Sequence, residues 1–429
     1  MPESGAHWGE HLVTTVLPWW ERAVRPGGGV FTCYSNDGVR VSDDLYTWSQ
    51  GRWAWLAAEL AAEAEAGRLD VDAALWRRRA IETADLVNEH ALLGDGTVAF
   101  RLGAGGEQLP SGPSGELATS VFADLFAALG LAGGIRMLDA GDPRRAEWRR
   151  QAELLLETAE NSTQAGTALS EPYPVPAGYA DLPAPMSLVH TASELLRAAP
   201  DSAMARGVRD RAWARLDADF LQTDAWWEFR PADPADAGTL LARHRTPGHL
   251  LELAWMLLHS GDEARGRADI GGTPPFAPDR LASLARRAID IGEDRDRGGV
   301  LRYVDGDGGR PDGIRSSRPE RYEELVERTW DTKLWWVHVE SLYACALLAE
   351  RTGDEALRAA AERIDDYVFR TFPDPGGAEW LQIRDRDGAP LDEVVALPVK
   401  DPFHIARSLL LLHRLAATDT ASKRTNTGE

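Results

Sequence analysis

Two histidines stand where an imidazole is useful as a base. His249 follows Pro247-Gly248 and opens the apolar run Leu250 to Leu258, and His404 follows Pro402-Phe403 and opens Ile405 to Leu412. Each falls in the first turn of an expected helix, where the dipole disfavours the imidazolium and leaves a neutral base. Such a pair suits the taking and returning of a proton near neutral pH. A lone histidine of this kind could simply support its own turn, but two in the same position favour function. His7, His11, His90, His244, His259 and His413 need no more than a backbone partner.

The segment Asp331 to Glu340 sets Trp335 and Trp336 beside His338 and Glu340. Aromatic faces suit sugar rings and the flanking polar groups suit hydroxyls, although a core helix with an ion pair would read the same way. Arg52 lies in Trp48-Ser49-Gln50-Gly51-Arg52-Trp53, on an otherwise apolar helix. It needs a partner there, either Glu340 or a substrate oxygen.

Several chemistries lack their motifs. No HExxH pattern or histidine-cysteine cluster occurs, and Cys33 and Cys345 are the two cysteines, so no metal site is expected. GxxxxGK[ST], a strand followed by GxGxxG, and GxSxG are all missing. No cofactor is therefore expected, and no motif supports a nucleotide activator. The charge sum of 47 − 68 = −21 repels nucleic acid and anionic lipid. No apolar run reaches the roughly 18 residues of a membrane span, and Met1 to Trp20 lacks a leader pattern, so a cytoplasmic protein is expected.

These side chains must be held by helices, because apolar residues recur at helical spacing along most of the chain. The pattern runs through Trp48 to Ala64, Leu75 to Leu92, Ser120 to Leu131, Ala146 to Glu160 and Met186 to Ala198. It continues through Leu250 to His259, Arg280 to Ile291, Leu334 to Arg351, Asp354 to Phe372 and Phe403 to Ala416. Glycine-bounded stretches between helices read as β-hairpins at Gly28 to Gly38, Gly298 to Gly306 and Glu379 to Gly388, with a weaker one at Thr97 to Gly106. Stacked helix pairs bury what one pair cannot, and twelve helices allow about 36 residues each. The expectation is all-α: one (α/α)6 barrel over residues 1–416, with short hairpins at one end around a pocket, and a disordered tail over 417–429. An open solenoid is the alternative. Pro200 to Ala242 and Gly308 to Glu327 break the pattern.

With these motifs in place, the chain resembles the N-acylglucosamine 2-epimerase family along nearly its whole length. The match lies in Gly28 to Cys33, Trp48 to Arg52, Pro247 to Glu252, Trp330 to Glu340 and Lys400 to His404. The resemblance implies that His249 and His404 work on opposite faces of a ring-opened sugar, inverting C2 through an enediolate. Arg52 would hold the carbonyl oxygen, Glu252 and Glu340 would position hydroxyls or tune the histidines, and Trp335, Trp336 and His338 would line the pocket. Thr32-Cys33, Gln50 to Arg52, Met186 and Lys333 to His338 resemble the N-acyl branch, whereas His190 resembles the pocket histidine of cellobiose and mannose enzymes.

The expected reaction interconverts gluco- and manno-configured sugars, with N-acetylglucosamine and N-acetylmannosamine first. An aldose-ketose isomerase of mannose-type sugars is the alternative, ahead of an (α/α)6 glycoside hydrolase or a non-catalytic binding protein. Expected partners are a small sugar and, at most, a second copy of the chain. The Arg310 to Glu327 stretch is longer than the family loop. It would cap the site, bind an anionic sugar, or form a surface insertion balanced by Glu320, Glu323, Glu324 and Glu327.

Overall fold

Helix starts are written into the chain by capping chemistry. Asp72, Ser202 and Asp354 accept hydrogen bonds from the free backbone N–H groups of the next turn. Pro183, Pro247, Pro278 and Pro402 occupy first turns, where no backbone donor is lost. A computed structural model describes residues 6–266, 275–317, 320–377, 379–393 and 399–427.

Among the described residues twelve barrel helices follow one another. They are α1 (6–21, with a π-turn inside), α2 (Thr47–Glu65), α3 (Ala73–Leu86), α4 (Val121–Met137), α5 (Arg144–Ala165) and α6 (Pro183–Ala198). Then come α7 (Ala203–Arg215), α8 (Pro247–Arg265), α9 (Pro278–Gly292), α10 (Trp335–Thr352), α11 (Glu355–Thr371) and α12 (Pro402–Thr427). The even-numbered helices are buried on nearly all sides and form an inner ring: α2 packs on α4, α4 on α6, and so on to α12, which returns to α2. The odd-numbered helices bury one face against that ring. The expected (α/α)6 architecture is thus present, and a continuous core runs from Trp8 to Leu412. Among the described residues no helix is long and apolar enough to cross a membrane.

Glycine sets the closest inner crossing. A Cβ on Gly51 would lie 1.9 Å from the Phe126 carbonyl oxygen, and one on Gly130 would lie 2.7 Å from the Gly51 Cα. Helices α2 and α4 therefore touch backbone to backbone, which brings Arg52 against Phe126.

Among the described residues nine short strands, all paired antiparallel, sit at one end of the ring. They are β1 (Leu45–Tyr46), β2 (Arg101–Leu102), β3 (Gln108–Leu109), β4 (Tyr179–Asp181), β5 (Phe229–Pro231), β6 (His244–Arg245), β7 (Val304–Asp305), β8 (Lys333–Leu334) and β9 (Ile383–Arg384). The pairs are β1-β2-β3, β4-β5, β6-β7 and β8-β9. Four of these pairings join the strand before an inner helix to the strand after the next outer helix, because a helix pair returns the chain to the end it left. The three main hairpins expected from glycine spacing are instead single bridges, such as Val24↔Val30, Glu293↔Val300 and Arg384↔Pro390. The weakest sequence signal, around Thr97 to Gly106, is the one that forms a ladder, β2 with β3. The last helix continues past Ala416 to Thr427, since no proline or glycine intervenes before Gly428. Residues 428–429 lie outside the described residues.

Candidate active site

The N-terminal ends of the inner helices surround a cavity of about 530 Å³. Arg52, His190, His249, Glu252, Trp335, Trp336 and His404 all line it. Seven residues spread from position 52 to position 404 are thus brought to one space.

His249 is the third residue of α8. Its Nδ1 lies 2.6 Å from Glu228 Oε1, and its ring stacks on Trp336 at 4.9 Å between centroids. Glu228 is fully buried and its Oε2 has no hydrogen-bond partner. A carboxylate this close demands the proton on Nδ1, which leaves Nε2 as the basic nitrogen. The expectation that the helix start lowers this pKa is corrected here. Burial does pull it down, but the charge and hydrogen bond of Glu228, with Glu252 and Asp181 behind, outweigh burial and raise it above its ordinary value.

His404 opens α12, where Asp401 acts as the cap and accepts from the backbone N–H of Phe403 at 3.2 Å and of His404 at 3.2 Å. Its Nδ1 lies 2.9 Å from Glu340 Oε1. Glu340 is fully buried and also accepts from Arg407 at 2.7 Å, Ser408 at 3.1 Å and Trp255 at 2.8 Å. Burial would raise its carboxyl, yet Arg407 and His404 hold it down at about 2. Arg407 donates to Glu252 as well, so one buried guanidinium bridges both carboxylates. Glu252, Glu340 and His404 have the spacing of a metal site. Arg407 already fills the place of a cation among them.

The Trp336 ring lies next to both histidines, 4.9 Å from His249 and 5.9 Å from His404 between centroids. Arg52 stands 3.7 Å from Asp401, with its guanidinium 4.0 Å from the Phe126 ring centroid and 4.9 Å from that of Phe403. Its partner in the fold is therefore Asp401, not Glu340, because Arg407 occupies the latter. The Arg52 Nε has no hydrogen-bond partner, and burial pulls this guanidinium down to about 10 against the opposing pull of Asp401. Asp401 also accepts from the Trp335 indole at 3.3 Å. His190 is wedged edge-on between Trp55 and Trp255, is pushed down to about 3 chiefly by burial, and leaves its Nε2 without a partner.

Two sequence expectations change. His338 does not line the cavity: its Nδ1 lies 2.7 Å from the Leu334 carbonyl, its Nε2 accepts from Val300 N–H at 2.9 Å, and Tyr367 stacks on it. It pins β8 to the loop before β7. Glu340 is not among the cavity-lining residues and hydrogen-bonds His404, so of the two roles expected of it, positioning hydroxyls or tuning a histidine, its place fits the second. In the long loop, Arg315 pairs with Glu323 and Glu327, and Arg321 pairs with Glu171. The helix Arg321–Thr329 sends Tyr322 and Leu325 into the cavity wall, so part of the stretch covers the cavity. Of its arginines, Arg318 lies outside the described residues.

Sequence reasoning missed Glu228, Arg407, Asp401 and Asp181. Arg407 stands three residues after His404 inside an apolar run, the same signal that marked Arg52. Asp401 precedes Pro402 at a helix start, which is a capping signal. Asp181 lines the cavity with its carboxyl raised to about 6 by burial and by Glu228. Glu228 carried no local signal.

The chain is similar to known proteins in sequence and in fold. The family model described as N-acylglucosamine 2-epimerase (GlcNAc 2-epimerase) matches residues 107–408. The N-acylglucosamine 2-epimerase of Bos taurus is 27% identical over 417 residues, which is 92% of this chain and 89% of that protein. The structure of cellobiose 2-epimerase from Bacillus thermoamylovorans superposes with a TM-score of 0.71 at 17% identity, covering 96% of this chain and 100% of that one. A D-mannose isomerase gives a TM-score of 0.70 at 17% identity, over 97% and 100%.

Proposed function

The chain belongs to the N-acylglucosamine 2-epimerase family, and from that premise we propose that it interconverts gluco- and manno-configured aldoses at C2, without a cofactor, using His249 and His404 as the two bases. The observation that carries this reading is the pair of imidazoles beside one indole, each with Nδ1 tied to a buried carboxylate and Nε2 left for chemistry.

The steps follow from those groups. With the sugar open, the neutral Nε2 of one histidine takes the C2 proton, and the electron pair moves to the carbonyl oxygen to give an enediolate. Arg52, a cation with spare donors, stabilises that oxygen. The planar C2 then receives a proton from the other histidine on the opposite face, which inverts the centre. Glu228 and Glu340 steady each imidazolium while it exists. N-acetylglucosamine and N-acetylmannosamine are the first sugars to test, following the relatives' names.

One observation supports a second reading. His190 brings an unpartnered imidazole nitrogen to the same cavity. If the histidine that takes the C2 proton returned it at C1 instead, with neutral His190 holding the sugar, the product would be a ketose. Incubation with each sugar in deuterated water, followed by NMR, separates the two: deuterium at C2 of an aldose supports epimerisation, and a ketose labelled at C1 supports isomerisation. If His249→Ala and His404→Ala each keep full turnover, the two-base reading fails.

A further inference from the structure

Among the described residues, one cation on the cavity wall has no charged partner. Arg302 is 6% exposed and lines the cavity, with its guanidinium carbon 4.8 Å from the Tyr303 ring centroid. Among the described residues it makes no ion pair and no hydrogen bond. The wall's other arginines and lysine are neutralised: Arg52 faces Asp401, Arg407 bridges Glu252 and Glu340, and Lys400 meets Glu379. The loop arginines, Arg315 and Arg321, are spoken for by glutamates.

Position adds to this. The β6-β7 ladder pairs Arg245 with Val304, so Thr246 and Arg302 lie just beyond it, next to the first turn of α8 that carries His249. Thr246 also lines the cavity, does not cap α8, and keeps its buried Oγ1 without a partner. Arg52 belongs to α2, and α8 is three helices away around a ring of six, which is the far side. Arg52 and Arg302 thus line opposite sides of one cavity.

A nearly buried arginine without a counter-charge is costly, and its planar fork matches the paired oxygens of a carboxylate or phosphate. Of the wall carboxylates, Glu171 and Glu393 pair with Arg321 and Arg328. Asp392 is exposed, and the charges that act on Asp181 are those of Glu228, Arg215 and His249, not that of Arg302.

Building on the epimerase reading, we infer that Arg302, with Thr246 beside it, is a specificity-determining residue that receives an oxyanion at the sugar end remote from the carbonyl. The preferred substrate class is then an acidic aldose that bears a carboxylate or a phosphate on its terminal carbon.

The test measures deuterium exchange at C2 for glucose and N-acetylglucosamine as neutral sugars, glucuronate as the carboxylate arm and glucose 6-phosphate as the phosphate arm. Wild-type protein should favour one acidic arm, with a KM that rises with salt. Arg302→Met should lower the acidic-to-neutral ratio of kcat/KM about 100-fold, mainly through KM, as expected for one lost member of a desolvated charge pair. Arg302→Lys should recover part of it, and it replaces the methionine variant if that protein does not melt cooperatively. A wild-type preference for neutral sugars, or a ratio unchanged by both substitutions, overturns the assignment. Should no sugar exchange at C2, the epimerase reading falls by itself, and calorimetry with glucuronate and glucose 6-phosphate then decides. Binding lost in Arg302→Met keeps the oxyanion site, while binding absent from wild type or equal in the variant removes it.

Discussion

Replacing Arg407 with methionine keeps most of the side-chain volume and removes the cation that bridges Glu252 and Glu340. Glu340 is held at about 2 from an ordinary 4.5, a depression worth about 3 kcal/mol at 1.36 kcal/mol per unit. That value is already net of the burial which opposes it, so the loss of one partner should cost about 3–5 kcal/mol. A folded pKa below the unfolded one gives stability that is present above 4.5 and is lost as pH falls through about 2. At pH 7 the full contribution is therefore in place to be removed. At about 2.1 cal/mol/K per residue, 429 residues carry an unfolding entropy near 0.9 kcal/mol/K, so Tm should fall by about 3–6 °C. Calorimetric melts at pH 7 measure this. The added substitution Glu252→Gln, which removes one stranded charge, should restore part of the loss. A Tm within about 1 °C of wild type in Arg407→Met, or no recovery in the double variant, would refute the account of Arg407 as the counter-ion of this cluster.

Glu228→Gln should lower the pKa of His249 and shift the acid limb of kcat/KM to lower pH, while the plateau rate falls by about 10- to 1000-fold through lost orientation of the imidazole. An acid limb that does not move in the pH-rate profile would contradict the raised pKa. Asp181 has a folded pKa of about 6 against an ordinary 3.8, so its stability contribution is full below 3.8 and lost as pH rises through about 6. Melts from pH 4 to 8 should show Asp181→Asn gaining on wild type across that window by up to about 3 kcal/mol. His338→Ala strands two backbone groups and opens a void, so it should destabilise by about 3 kcal/mol without changing the KM for the sugar. A KM effect at unchanged stability would return His338 to the site.

Local signals and tertiary ones separate cleanly in this chain. Pro-Gly-His and Pro-Phe-His at the head of apolar runs are short-range patterns, so His249 and His404 could be placed on helix starts before any contact was known. Their charge environment could not, because Glu228 and Glu340 reach them across 21 and 64 positions. The same distance hid the ladders: β6 and β7 are about 60 residues apart and meet only because a helix pair brings the chain back. Arg407 was as legible as Arg52, since both are single cations within apolar helices. The error over His338 had a local remedy too. Residues two apart on a helix point to opposite sides, so Trp336 and Glu340, four apart, share a face that His338 cannot share. The long loop resisted reading because its arginines find partners that include Glu171, far back in the chain.

Helix α12 closes the ring between α10 and α2, and it is also the helix that carries His404, Arg407 and Ser408. Of the ring helices, protein synthesis delivers it after the other eleven. While a growing chain lacks it, Glu252 and Glu340 face each other with no cation between them, and mutual repulsion opposes early collapse of α8 against α10. This helix then supplies part of the cavity wall, the neutralising charge and the second of the two proposed bases. On the two-base reading, completion of the ring and competence for turnover coincide, so a ribosome-bound intermediate ending before residue 400 should have Arg52 and His249 in hand and yet turn over nothing.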